Sequence, residues 1–262
     1  MTSARLVGLT GLLVLLSCSQ RASAQERPAV PDPDAGGRSW RVESDLGSVY
    51  AWQPAGYDAN TAGLVIYVHG YGASLDEVWR EHGLAQQFAA SERNALFIVP
   101  ESPRSNSEAV RFASLDRLLS AVREGGIETP AGPIAVAGHS GAFRTIVCWL
   151  SDRRLRDLIL LDGVYGRDAP FRAWIRPVKG RPAKKLVLVG AVTARTSERL
   201  ARRYPTAARR NGIPEDVSAF TRRELKAPIL YLRSQYEHME IVLSGRVLPL
   251  LLRLTTLTAT AG

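Results

Sequence analysis

The feature that most restricts how this chain can fold is a series of short apolar runs separated by segments of helical periodicity. The runs are Leu64-Val65-Ile66-Tyr67-Val68, Ala95-Leu96-Phe97-Ile98-Val99, Pro133-Ile134-Ala135-Val136-Ala137, Leu158-Ile159-Leu160-Leu161, Lys185-Leu186-Val187-Leu188-Val189 and Pro228-Ile229-Leu230-Tyr231-Leu232. A continuous apolar run of that length suits a strand buried on both faces. Alternation of such strands with helices predicts an α/β fold: a mainly parallel sheet with helices on both faces.

The stretches between the runs fit that layout. Apolar residues at Val78, Leu84, Ala85 and Phe88 predict a helix over 76–90. Val110, Ala113, Leu115, Leu118, Leu119 and Val122 predict another over 107–124, ended by Gly125-Gly126. Phe143 to Leu150 reads as a helix, and Phe171 to Arg176 as a short one. The Arg-rich stretch 196–224 reads as two helices, broken at Pro205 and at Asn211-Gly212-Ile213-Pro214. A terminal helix is expected over 241–254, with Pro249 as its break. Before the first run, Trp40, Val42, Val49, Tyr50 and Trp52 predict one or two antiparallel edge strands. No repeat and no internal linker divides the body, so 39–262 reads as one domain.

The amino terminus reads as an export signal over 1–24. Arg5 precedes the apolar run Leu6 to Leu16, which is short for a membrane span. Two processing routes compete. Leu15-Leu16-Ser17-Cys18 resembles a bacterial lipobox, which would make Cys18 a lipidated amino terminus, and Ala22-Ser23-Ala24 is an A-x-A cleavage site. The lipoprotein route is preferred because the apolar run stops just before Cys18. Residues 25–38, rich in Pro, Ala, Asp and Gly, read as a flexible tether. The expected location is periplasmic or anchored at the outer membrane, with secretion as second choice. Membrane association is expected only through the lipid anchor.

The net charge of +9 comes from scattered residues, mostly Arg, without an aromatic-interleaved basic patch or a nucleic-acid-binding motif. No nucleic-acid partner is therefore expected. Two cysteines cannot make a disulfide framework, and Cys148 is expected to be a small buried hydrophobe. With no HExxH, CxxC or carboxylate cluster, neither a metal nor another cofactor is implied.

Chemistry concentrates where the third run turns through Gly138-His139-Ser140-Gly141-Ala142 into a helix. A Ser flanked by small residues at a sharp strand-to-helix turn is the nucleophile-elbow pattern. The small neighbours let strand and helix approach, and the hydroxyl then stands above the sheet edge. In a parallel sheet functional groups gather at the carboxyl ends of strands. Ser140, Asp162 and His238 all lie at such ends, in that order. The first run ends in His69-Gly70-Tyr71-Gly72, a loop able to bring a backbone N–H close to a substrate.

On these residues the chain, over about 40–255, resembles the α/β-hydrolase fold superfamily, and in particular its esterase- and lipase-like serine hydrolases. The resemblance implies a Ser140 nucleophile, a His238 base and an orienting Asp162, with oxyanion donors from the N–H groups of Tyr71 and Gly141. His69 then sits in a structural position, His82 lies in a helix, and His139 is placed poorly to accept a proton from its own neighbour. The more usual place for the acid follows the run 185–189, where Gly190-Ala191-Val192-Thr193-Ala194 holds no carboxylate. Asp162 fits a variant position, with Glu237 and Glu198 as fallbacks. The implied activity is hydrolysis of an ester of a small-molecule or acyl substrate. A peptidase or amidase acting on envelope material, or an inactive binding module, are the alternatives.

Overall fold

The computed structural model describes residues 30–31, 36–166, 168–180 and 183–260. The signal segment, Cys18 and most of the tether lie outside the described residues. Within the stretch read as tether, strand β1 (Val30–Pro31) pairs antiparallel with the start of β2 (Arg38–Ser44).

The remaining strands are β3 (Gly47–Gln53), β4 (Gly63–Val68), β5 (Ala95–Pro100), β6 (Ile134–His139), β7 (Leu155–Leu161), β8 (Lys185–Gly190), β9 (Ala208–Asn211) and β10 (Ile229–Arg233). They form one sheet in the order β1-β2-β3-β5-β4-β6-β7-β8-β10-β9. From β5 to β9 every pairing is parallel, whereas β1, β2 and β3 join antiparallel at one side. The six apolar runs are the six central strands. β3 is interior rather than an edge strand, because β5 pairs along its other side.

The side-chain period of two divides the strands between two cores. Leu64, Ile66 and Val68 of β4, Val136 of β6 and Leu158 and Leu160 of β7 face one core. It is covered by α3 (Leu115–Glu124), α4 (Phe143–Trp149), α5 (Ala169–Ile175) and α6 (Ala194–Arg202). Val65, Tyr67, Ala135, Ala137, Ile159 and Leu161 face the other. There α1 (Leu75–Glu81), α2 (Leu84–Ala90), α8 (Glu240–Leu243) and α9 (Val247–Leu252) cover the sheet. Each buried Val, Leu or Ile side chain among them contributes about 1.5–3 kcal/mol.

Several helices depart from the sequence expectation for local reasons. The helix expected over 76–90 is two, because Gly83 takes φ +56 and turns the chain between α1 and α2. Ser114 starts α3, its hydroxyl accepting the Arg117 N–H, so 107–113 form a loop. The C-terminal helix breaks at 244–246 and not at Pro249, which lies in the first turn of α9, where a missing N–H costs no intrahelical bond. The stretch 196–224 holds α6, the edge strand β9 and α7 (Arg222–Lys226), with a 3-10 turn over Val217–Ala219. Cys148 is exposed, on the outer side of α4, with its thiol against the Arg144 carbonyl. The expectation of burial fails because Ile146 and Trp149 take the buried side of that helix.

At the amino ends of the central strands the C-terminal segment acts as a clasp. Asn94 N–H donates to the Thr258 carbonyl (2.9 Å), and Thr260 N–H to that of Glu92 (3.0 Å). Thr256 gives both its N–H and its hydroxyl to Asp157 of β7. The opposite, carboxyl ends of these strands carry the candidate site. Among the described residues no helix is long and apolar enough to cross a membrane.

Candidate active site

Ser140 follows β6 directly, with φ +52, and opens a 3-10 turn that runs into α4. A non-glycine residue in the left-handed region stores strain that the surrounding packing must hold. That packing is tight. A Cβ on Gly138 would come within 2.3 Å of Ile146 Cδ1 and 3.0 Å of Ala142 Cβ, so β6 and α4 meet this closely only over glycine. The first turn leaves the Gly141 N–H without an intrahelical partner. The Tyr71 ring lies over Gly141, where an added Cβ would sit 2.6 Å from it.

The loop after β4 is fixed by His69. Burial keeps its imidazole below the ordinary histidine range, hence neutral. Ser102 N–H donates to Nε2 (3.0 Å), which leaves the proton on Nδ1, and Nδ1–H donates to the Gly70 carbonyl (2.8 Å). With that carbonyl turned back to His69, the trans peptide directs the Tyr71 N–H the other way. The Tyr71 hydroxyl accepts from Arg144 (3.2 Å), whose guanidinium also donates to the carbonyls of Ser105, Asn106 and Glu108. Arg144 thus ties the 105–108 loop to the site.

Asp162 follows β7 directly, fully buried and at φ +50. Oδ1 accepts from Ala191 N–H (2.9 Å), Thr193 N–H (2.7 Å) and Thr193 Oγ1 (2.6 Å). Oδ2 accepts from Val192 N–H (3.0 Å) and from His238 Nδ1 (2.6 Å). Burial opposes ionisation here, but the hydrogen bonds from Thr193 and His238 outweigh it and hold the carboxyl below the usual range. The segment after β8, where a carboxylate is more usual, supplies the N–H groups that hold this carboxylate. Glu198, by contrast, bonds Arg202 on its own helix, and among the described residues neither its carboxylate nor that of Glu237 bonds His238, whose Nδ1 goes to Asp162.

His238 stands in the loop between β10 and α8. With Nδ1–H given to the carboxylate, Nε2 is left as the proton acceptor. The Ser140 hydroxyl has Tyr165 Oη as its hydrogen-bond partner (3.2 Å), and no hydrogen bond joins it to His238 among the described residues. Burial pushes the Tyr165 phenol up, so it stays protonated. Tyr165 also lies against Phe143, ring centroids 5.9 Å apart. His139 is buried, with its Nε2 3.1 Å from the His238 carbonyl and its ring 4.5 Å from the His238 ring. Burial first, and His238 second, pull His139 down to about 4. No metal-holding group of His, Cys, Asp or Glu occurs among the described residues.

The structure therefore pairs His238 with Asp162 and places the Ser140 elbow and the loop carrying Tyr71 against each other. Sequence reasoning missed Thr193 and the contact of His139 with His238. Thr193 was visible only as the residue standing where a carboxylate was sought, and nothing in the local pattern marks the histidine contact.

No protein-family model and no curated protein matches the sequence. Solved structures do match in fold. The chain is similar to the feruloyl esterase module from Clostridium thermocellum (TM-score 0.52, 14% identity, covering 84% of this chain and 92% of that one). It is also similar to a thermostable carboxylesterase cloned from a metagenomic library (TM-score 0.51, 14% identity, 88% and 90%). A third is an S-formylglutathione hydrolase from Staphylococcus aureus (TM-score 0.51, 11% identity, 83% and 95%). With its parallel strands, crossing helices and the elbow at the end of β6, the chain has the α/β-hydrolase fold.

Proposed function

We propose that the protein is a serine hydrolase that cleaves a carboxylic ester through an acyl-enzyme, with Ser140 as nucleophile, His238 as base and Asp162 as the orienting acid. The observation that carries this reading is the 2.6 Å bond from His238 Nδ1 to a buried, five-fold hydrogen-bonded Asp162 at the sheet edge that also bears the strained Ser140. The hydroxyl leaves Tyr165, gives its proton to His238 Nε2 and attacks the acyl carbon. Asp162 stabilises the resulting imidazolium. The N–H groups of Tyr71 and Gly141 receive the developing oxyanion, each worth about 3–4 kcal/mol of transition-state stabilisation. His238 then protonates the leaving alcohol, and water releases the acyl group by the same steps. The esterases and hydrolases among the similar structures support ester chemistry.

A fluorophosphonate probe should label the purified protein, and Ser140→Ala should abolish both labelling and turnover of nitrophenyl esters. Equal labelling of the variant sinks the reading. Nitrophenyl esters of increasing chain length, set against aminoacyl amides, separate ester from amide preference. The protein is further proposed to be exported and anchored through Cys18. Metabolic labelling with an alkynyl fatty acid should mark the wild type and not Cys18→Ala; an unlabelled wild type moves processing to the A-x-A site.

A further inference from the structure

We propose that His139 is a positioning residue: its imidazole ties the backbone of the base-bearing loop to the nucleophile elbow and so holds His238 in line with Asp162 and Ser140. The inference rests on the triad reading above. His139 is the last residue of β6, so its backbone is fixed by the sheet one position before the nucleophile. Its ring is buried at 2% exposure and stays neutral near neutral pH. A carbonyl acceptor requires Nε2 to carry the proton, so His139 donates to the His238 oxygen at 3.1 Å.

That bond is one of two that hold residue 238 among the described residues. The other is Nδ1 to Asp162 at the tip of the side chain. Neighbouring residues of the loop are held elsewhere: Ser234 N–H by the Gly190 carbonyl, Gln235 by Ile213, and Glu237 N–H by Glu240. With one anchor at the backbone and one at the ring, His238 has a fixed axis. Without the His139 bond its own carbonyl is released, and its backbone is restrained only through the turn into α8, by the carbonyls of Glu237 and Met239. The other side of the His139 ring faces the loop after β4, since a Cβ on Gly70 would lie 3.3 Å from Nδ1 and 2.9 Å from Ser140 Cβ. The segments bearing nucleophile, base and oxyanion donor therefore meet on this one imidazole, which transfers no proton itself.

His139→Phe keeps a flat ring and removes the donor, and His139→Gln restores an N–H donor. With nitrophenyl butyrate, His139→Phe should lower kcat about 10–100-fold with KM within about twofold, the scale of a misplaced catalytic group. His139→Gln should recover kcat to within about fivefold. The low-field proton resonance of His238 Nδ1–H should broaden or vanish in His139→Phe and persist in His139→Gln. If Phe does not fold there, His139→Asn makes the same comparison, its amide falling short of the carbonyl. A folded His139→Phe or His139→Asn that keeps turnover and a sharp resonance overturns the proposal, as does an equal kcat loss in Gln and Phe. The resonance needs no substrate. A wild type that cleaves no ester but shows this pattern of resonances removes the proposed function and leaves the positioning role standing.

Discussion

Strand β7 has a buried aspartate at each end, and the two behave oppositely. Asp157 and Asp162 are 1% and 0% exposed. Asp157, at the amino end, accepts only from Thr256 among the described residues, both bonds falling on Oδ2, and its Oδ1 has no partner among them. Burial there wins, and the carboxyl is pushed above its usual range. Asp162, at the carboxyl end, has both oxygens filled by five donors and is held below that range. Equal burial on one strand thus gives a carboxyl that resists ionisation and one that favours it. The number of donors decides, and the loop after β8 supplies them. An acid that must stay charged beside an imidazolium can occupy a dry site only where such donors converge.

The largest effect that would break the contrast is Asp162→Asn. Losing the charge and turning an amide toward N–H donors should lower kcat by about 10³–10⁴-fold, measured under saturating ester. Turnover near wild type would remove Asp162 from the role. Next, Thr193→Val deletes one of the five donors and leaves the carboxylate. A hydrogen bond to a charged group contributes about 1.5–3 kcal/mol, so a fall in stability of that order is expected by urea unfolding. Turnover should drop about tenfold, the equivalent of 1.4 kcal/mol.

The pH dependence of stability should then differ in sign at the two ends. Asp162, with its lowered pKa, stabilises the fold above the unfolded value near 3.9 and loses that contribution as pH falls through its folded value. Asp157, with its raised pKa, costs stability as pH rises from that same unfolded value through its folded one. Asp157→Asn should therefore gain in Tm relative to wild type between pH 4 and 7, by less than about 1 kcal/mol equivalent, with kcat unchanged. This is the smallest of the effects. A Tm difference that shrinks over that range would show that Asp157 is not the raised group.

What the sequence made readable follows from the same physics. The six central strands declare themselves because burial on both faces demands unbroken apolar runs, as in Leu64 to Val68. The elbow is legible because only small residues fit between β6 and α4. Asp162 and His238 could be named from strand ends and order. The donors to Asp162 could not, since they are mostly backbone N–H groups, whose direction no side-chain pattern records. β9 was read as helix because an outermost strand has only one side pairing, and Ala208-Arg209-Arg210-Asn211 has no apolar run to show. Cys148 was misplaced by composition alone, an apolar helix being assumed buried all round.

The clasp of 256–260 across the starts of β5 and β7 has a consequence for the order of assembly. It joins a segment made late to strands made well before it. While the chain grows from its amino end, Asn94 and Asp157 wait with their partners not yet synthesised. The site end of the sheet can organise from residues already present, but the opposite rim latches only when residues 256–260 arrive. Closure of that rim is in this way keyed to the arrival of 256–260.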